Sequence, residues 1–246
     1  MSPPDAAGRP VARGAPARPA GGRRDRPRGS RDRQSLVELA TGAALVVVVA
    51  AAGLYVAHQT VAVTVDRWIL NLVPAGGGGW FTRVTWLRYP AVTLAGSAVA
   101  AAVVFRRDRL RAAACLVGPA VALITSELLV KPAVGRTLGG VYSYPSGSTV
   151  GAAALATAAV LAAPPRWRTA TVVVAAVFSL WMTAAVVSLH WHYPTDALAG
   201  LAYGVGVVLL ADGSAGRITV LVGRGRRHRL RSAEEVGPED RRQADG

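Results

Sequence analysis

Sulfur and imidazole are scarce in this chain. It has one cysteine, Cys115, and four histidines, His58, His190, His192 and His228. A single cysteine excludes an intramolecular disulfide. Only His190 and His192 stand close together, so a multi-histidine metal site has no local support. Acidic residues are also few, 14 against 28 basic ones, and the net charge is +14. The glycine run from Gly76 to Gly79 lacks the Lys-Ser/Thr that a P-loop needs after it, which leaves a turn. There is no internal repeat and no series of broken apolar segments, so a transporter reading has no support.

What the chain has is apolar length. It is 52% hydrophobic over 246 residues, with a mean hydropathy of +0.33. The charge resolves the apparent conflict by its position. Arginines crowd the ends, Arg9 to Arg33 and Arg217 to Arg231, and the middle is a series of Ala/Val/Leu runs. That is the pattern of a polytopic membrane protein with basic tails. Residues 1–34 are rich in Pro, Gly, Ala and Arg without apolar periodicity and read as an irregular cytoplasmic tail. Residues 35–211 read as a six-span membrane domain, and 212–246 as a second basic, irregular tail. Basic tails beside spans set orientation and touch anionic lipid; nucleic acid is the disfavoured partner. The first tail is too long, and the apolar run after it too extended, for a cleaved signal peptide.

The expected spans are 36–56, 90–105, 112–130, 149–163, 169–189 and 194–211, with a short surface helix near 63–73. Trp80, Phe81, Trp86 and Tyr89 suggest an interfacial aromatic belt. Both tails and the turns at 106–111 and 164–168 carry arginines. The positive-inside rule therefore makes them cytoplasmic and turns the connections 57–89, 131–148 and 190–193 outward. This predicts a multi-pass cell-membrane protein with both termini inside.

Two of the three outward connections carry candidate chemistry. In His190-Trp191-His192-Tyr193-Pro194-Thr195-Asp196, Pro194 marks a helix start. His192 lies just before it and Asp196 in its first turn. A carboxylate there can accept a hydrogen bond from one imidazole nitrogen, leaving the other basic for attack. The other connection holds Lys131, Arg136 and Pro145-Ser146-Gly147-Ser148 directly before the fourth span. A helix start with Ser and Gly offers free N–H groups and a dipole end to an anion. Lys131 and Arg136 add positive charge on the side where positive charge is disfavoured as a topology signal. Cationic clamp, N–H cradle, nucleophile and carboxylate together suit phosphoryl transfer. Glu127 lies four residues before Lys131, the spacing of a helical ion pair that holds the lysine. His190 is an accessory candidate, as an interfacial side chain or as a proton donor.

At these residues the chain resembles the type 2 phosphatidic acid phosphatase superfamily of integral membrane lipid phosphatases. Lys131 and Arg136 match part of its first signature, Pro145-Ser146-Gly147 most of its second, and His192 with Asp196 the end of its third. The resemblance covers about residues 36–211. It implies an all-α, six-helix membrane bundle with an acid phosphatase/vanadium haloperoxidase-like core. It implies a phosphohistidine at His192 oriented by Asp196, with Lys131, Arg136, Ser146, Gly147 and Ser148 holding phosphate, and neither metal nor organic cofactor. Three of the family's motif elements are absent here. Its Arg-Pro falls on Leu138-Gly139, its acid histidine on Ser148, and a phosphate-binding arginine on Val186. Serine does not replace imidazole as an acid near pH 7. A lipid diphosphate expels a stable anion and suffers less from that loss than a monoester, so a polyprenyl diphosphate is the expected substrate over phosphatidic acid. The alternative is an inactive member that binds lipid phosphate as a receptor, scaffold or transport component. The sequence sets no oligomeric state.

Overall fold

Backbone in lipid must satisfy its own hydrogen bonds, and a helix does this within one segment. In the computed structural model, which describes residues 28–73, 79, 83 and 85–235, each of the expected apolar runs is helical. The helices are α1 (Arg28–Val56), α2 (Thr64–Leu72), α3 (Pro90–Phe105), α4 (Arg109–Thr125), α5 (Lys131–Val134), α6 (Gly147–Ala162), α7 (Arg168–Ser188) and α8 (Pro194–Glu235). Among the described residues, four stretches are long and apolar enough to cross a membrane: Asp32–Val56, Arg109–Val134, Pro165–Ser188 and Pro194–Val222. Helices α3 and α6 are apolar but only 16 residues each. At 1.5 Å per residue they reach about 24 Å, short of a ~30 Å hydrocarbon core.

Local chemistry sets the helix ends. Pro90 and Pro194 open α3 and α8. Asp108 caps α4 by accepting from the Arg111 N–H at 3.0 Å. Between α4 and α5 the ladder widens to a π turn over Ser126–Val130, and the Lys131 N–H reaches the Ser126 carbonyl. Pro132 explains the widening: it has no N–H for Leu128 and its ring crowds that carbonyl. Gly135 ends α5 in the left-handed region at φ 64°. A two-residue turn, Gly139-Gly140 with both φ positive, then joins strands β1 (Thr137–Leu138) and β2 (Val141–Tyr142) in an antiparallel hairpin.

The bundle closes around α6 and α8. Val150, Ala152, Ala153, Ala154 and Ala158 of α6 are all buried. Helix α8 meets it through glycine: a Cβ on Gly204 would lie 2.5 Å from the Val150 carbonyl oxygen. The other side of α8 approaches α1 in the same way, with Gly42 against the Gly206 carbonyl. Small residues let backbones come this close where lipid gives no hydrophobic drive to pack helices.

Two expected boundaries fall inside helices. Helix α1 starts at Arg28, before the expected edge of the tail at 34, and α8 continues past 211 to Glu235. Their charges have partners, so they do not keep the segments apart. Asp212 pairs with Arg111 at 2.8 Å, and Arg217 pairs with Asp32 across to α1. Residues 1–27 and 236–246, Gly76 to Gly78, Trp80 and Phe81 lie outside the described residues. The expected surface helix is α2. It shows Val65, Trp68 and Leu72 to the outside and turns Asp66 inward.

Gly204→Leu is expected to force α6 and α8 apart, lowering stability by about 1–3 kcal/mol or more, as overpacking does. Thermal unfolding in detergent checks this, and an unchanged midpoint contradicts the close-packed crossing.

Candidate functional site

His192 stands in the reversal between α7 and α8. The Trp191 and His192 N–H groups both point back to the Val186 carbonyl, at 3.0 and 3.3 Å, and His190 takes a positive φ of 56°. The Asp196 carboxylate accepts the Tyr193 N–H at 3.3 Å, a side chain in the first turn closing back on the helix entry. The segment is thereby fixed before its side chains meet anything else.

The expected hydrogen bond from His192 to Asp196 is not made. His192 Nδ1 lies 3.0 Å from the Ser143 carbonyl oxygen. A carbonyl only accepts, so Nδ1 carries the proton and donates it there. That leaves Nε2 with its lone pair. Burial, then the positive charge of Lys131 and Arg88, holds the imidazole below its ordinary range, at about 4, against the opposing pull of the Ser143 carbonyl. The ring is neutral at pH 7, the form a nucleophile requires.

Asp196 is engaged elsewhere. Arg136 gives one guanidinium nitrogen to Asp196 at 2.5 Å and to the Thr195 hydroxyl at 2.6 Å, and the other to Asp66 at 2.5 Å. Asp66 also accepts the Thr195 N–H at 2.9 Å, and the Tyr193 ring lies 4.2 Å from the guanidinium carbon. Arg136, Asp66 and Asp196 are fully buried. The expected phosphate clamp is therefore a structural lock. It bears on the imidazole through the backbone: the Arg136 carbonyl accepts the Ser143 N–H at 2.9 Å, and the Ser143 carbonyl in turn holds His192.

A cavity of about 630 Å³ opens over His192. Its charged lining residues are Arg88 and Lys131, and His190, Trp191, Tyr142 and Ser143 complete its polar and aromatic wall. Of the expected site residues, Lys131, His190 and His192 line it; Arg136, Asp196, Ser146, Gly147, Ser148 and Glu127 do not. The Ser146 N–H is already donated to the Asp196 carbonyl at 3.0 Å. The start of α6 has an anion of its own: Glu127 pairs with Lys131 at 2.8 Å, and a Cβ on Gly147 would fall 2.2 Å from its Oε1. A carboxylate at a helix N-terminus is favoured by the dipole.

Sequence reasoning missed Asp66 and Arg88. Asp66 has a signal, an acid on the Asp66–Leu70–Val73 face of a short amphipathic helix, the face that packs inward on Met182 and Val186. Arg88 stands among aromatics and stacks on Trp191 at 4.6 Å, a contact that spans distant parts of the chain.

Arg136→Ala leaves two buried carboxylates facing each other and is expected to cost about 3–5 kcal/mol. Asp66→Asn keeps Asp196 as the countercharge and should cost less. Unfolding of both variants in detergent gives the order, and equal small losses contradict the lock.

The geometry has relatives at one level of comparison. No curated protein and no solved structure matches the chain significantly. Residues 119–212, which hold Lys131, Arg136, Pro145-Ser146-Gly147, His192 and Asp196, match the family model described as the PAP2 superfamily. That segment is similar to the PAP2 superfamily, a family of generally phosphatase-type activity.

Proposed function

We propose that this protein is a membrane phosphatase that removes phosphate from a lipid diphosphate through a phosphohistidine at His192, on the outer face of the membrane. One observation carries the reading: a neutral imidazole with Nδ1 pinned by a carbonyl presents Nε2 in a cavity whose charged lining residues are Arg88 and Lys131. Exposed Trp68, Trp86, Tyr89 and Trp191 around this end of the bundle suit a membrane interface, where a lipid headgroup would meet the cavity. The outward side follows from arginine in the opposite turns. Six helices would form the membrane bundle, the two shorter ones leaning on longer neighbours.

In the reaction Nε2 attacks the terminal phosphorus. The bond to the bridging oxygen breaks, and a lipid monophosphate leaves with the electron pair. Lys131 and Arg88 hold the equatorial oxygens. Binding draws Lys131 from Glu127, which reopens the start of α6 and the Ser148 and Gly147 N–H groups to the anion. Water then attacks the phosphohistidine, releasing phosphate and restoring neutral His192. Asp196 acts at one remove, through Arg136 and the fixed reversal. No acid stands at Ser148, and His190 lines the cavity beside Trp191 as an interfacial side chain. A monoester, which expels an alkoxide, forgoes the ~10²–10⁴-fold that general acids contribute.

The locked Arg136 and the Glu127-filled helix start favour one second reading, a member that binds lipid phosphate without cleaving it. Phosphate release from a polyprenyl diphosphate and from phosphatidic acid separates the two. Release that is faster on the diphosphate and abolished in His192→Ala is expected. Binding of the diphosphate with no release by folded natural protein establishes the second reading.

The pH dependence follows from the lowered imidazole. Neutral His192 persists above about pH 4, so the acid limb of kcat/KM should fall near 4 once the substrate's own ionisation is divided out. A limb at about 6.5, the ordinary histidine value, contradicts a desolvated nucleophile.

A further inference from the structure

The far end of the bundle holds a second and larger cavity. It is about 1060 Å³ and opens between the basic turns. Lys131 and Arg111 lie at opposite ends of the Arg109–Val134 span, so this cavity is about 30 Å from His192 at 1.5 Å per residue. Six helices contribute to its wall, from Ser35 of α1 to Gly216 and Val220 of α8. The wall has two chemistries. Val104, Leu161, Val172 and Val220 make an apolar side, while Arg107, Arg111 and Arg168 make a basic one against a single lining aspartate, Asp108.

The three arginines are not equivalent. Arg111 is committed: it makes two bonds to Asp212, at 3.0 and 2.8 Å, and lies 3.8 Å from Glu38. Asp108 is committed to capping α4. Arg107 and Arg168 also line the cavity and are exposed. A free ion would be served by these two alone. An apolar side in the same cavity calls for a ligand with an anionic head and a hydrocarbon tail.

We propose that this cavity is a binding site for an anionic phospholipid of the leaflet opposite the His192 face. Its phosphate lies between Arg107 and Arg168, and the first part of an acyl chain runs along Val104, Leu161, Val172 and Val220. The volume suits a headgroup and a chain segment. Positive charge between helix ends near a membrane surface is complementary to such a headgroup. The lipid ties α3, α7 and α8 together, a stabilising role separate from the reaction. The site is independent of the proposed phosphatase activity.

The test uses the full chain in neutral detergent. Phosphatidylglycerol, phosphatidylcholine or inorganic phosphate is added, and the unfolding midpoint and bound lipid by native mass spectrometry are read. Phosphatidylglycerol is expected to bind and raise the midpoint, and the other two are not. Each of these two arginines contributes roughly fivefold in affinity, so Arg107→Gln with Arg168→Gln should weaken binding by about 25-fold. Val172→Trp, which fills the apolar side without touching charge, should also weaken it. Both variants should keep the natural protein's midpoint without lipid and its phosphate release. Equal response to phosphatidylcholine, equal response to inorganic phosphate, or natural affinity in both variants overturns the proposal.

Discussion

Everything at the His192 end depends on burying Arg136 between two carboxylates. Asp66 comes from a surface helix, Arg136 from the turn after α5, and Asp196 from the first turn of α8. Removing three charges from water is costly, and such clusters add little net stability against an apolar alternative. Their effect here is on register. Any shift of α2, the hairpin or α8 leaves a charge without its partner. The cluster therefore fixes where Ser143 stands, and Ser143 fixes which imidazole nitrogen of His192 is free. The His192 tautomer is set by a chain of contacts that begins at Asp66, in the first turn of α2.

The rest of the bundle serves that placement by close approach. Helix α8 carries glycine towards α6 on one side and towards α1 on the other. It can therefore lie between them with its first turn held against the start of α6, where the Ser146 N–H meets the Asp196 carbonyl. At the opposite end the same helix continues, with Asp212 and Arg217 paired to α4 and α1. One helix thus links the His192 end and a basic end about 30 Å apart, the span of a hydrocarbon core.

The helices were legible in the sequence because apolar length and arginine position are local signals. So was the Glu127–Lys131 ion pair, carried by spacing within one segment. The roles of Arg136 and Asp196 were not. A His and an Asp four residues apart suggest a direct hydrogen bond, but the carboxylate found a stronger partner from 60 residues away. Arg136 looked like a clamp because its outward position is unusual, and the acids that explain it lie in other segments. The N–H cradle at Ser146 and Gly147 was read without knowing that Glu127 would turn towards it. The segment from 212 to Glu235, expected to be irregular, continues α8, and near its start Arg217 meets Asp32 on α1 and Asp212 meets Arg111 on α4, pairings that composition does not reveal.

The central claim is that His192 Nε2 takes the phosphoryl group. Rapid alkaline quench of the detergent-purified protein with polyprenyl diphosphate carrying a labelled terminal phosphate tests it directly, followed by peptide mapping at alkaline pH. An acid-labile, base-stable label on the peptide containing His192, absent from His192→Ala, is the expected result. Labelled phosphate released by the natural protein with no phosphohistidine trapped at any quench time, or a label on His190, contradicts it.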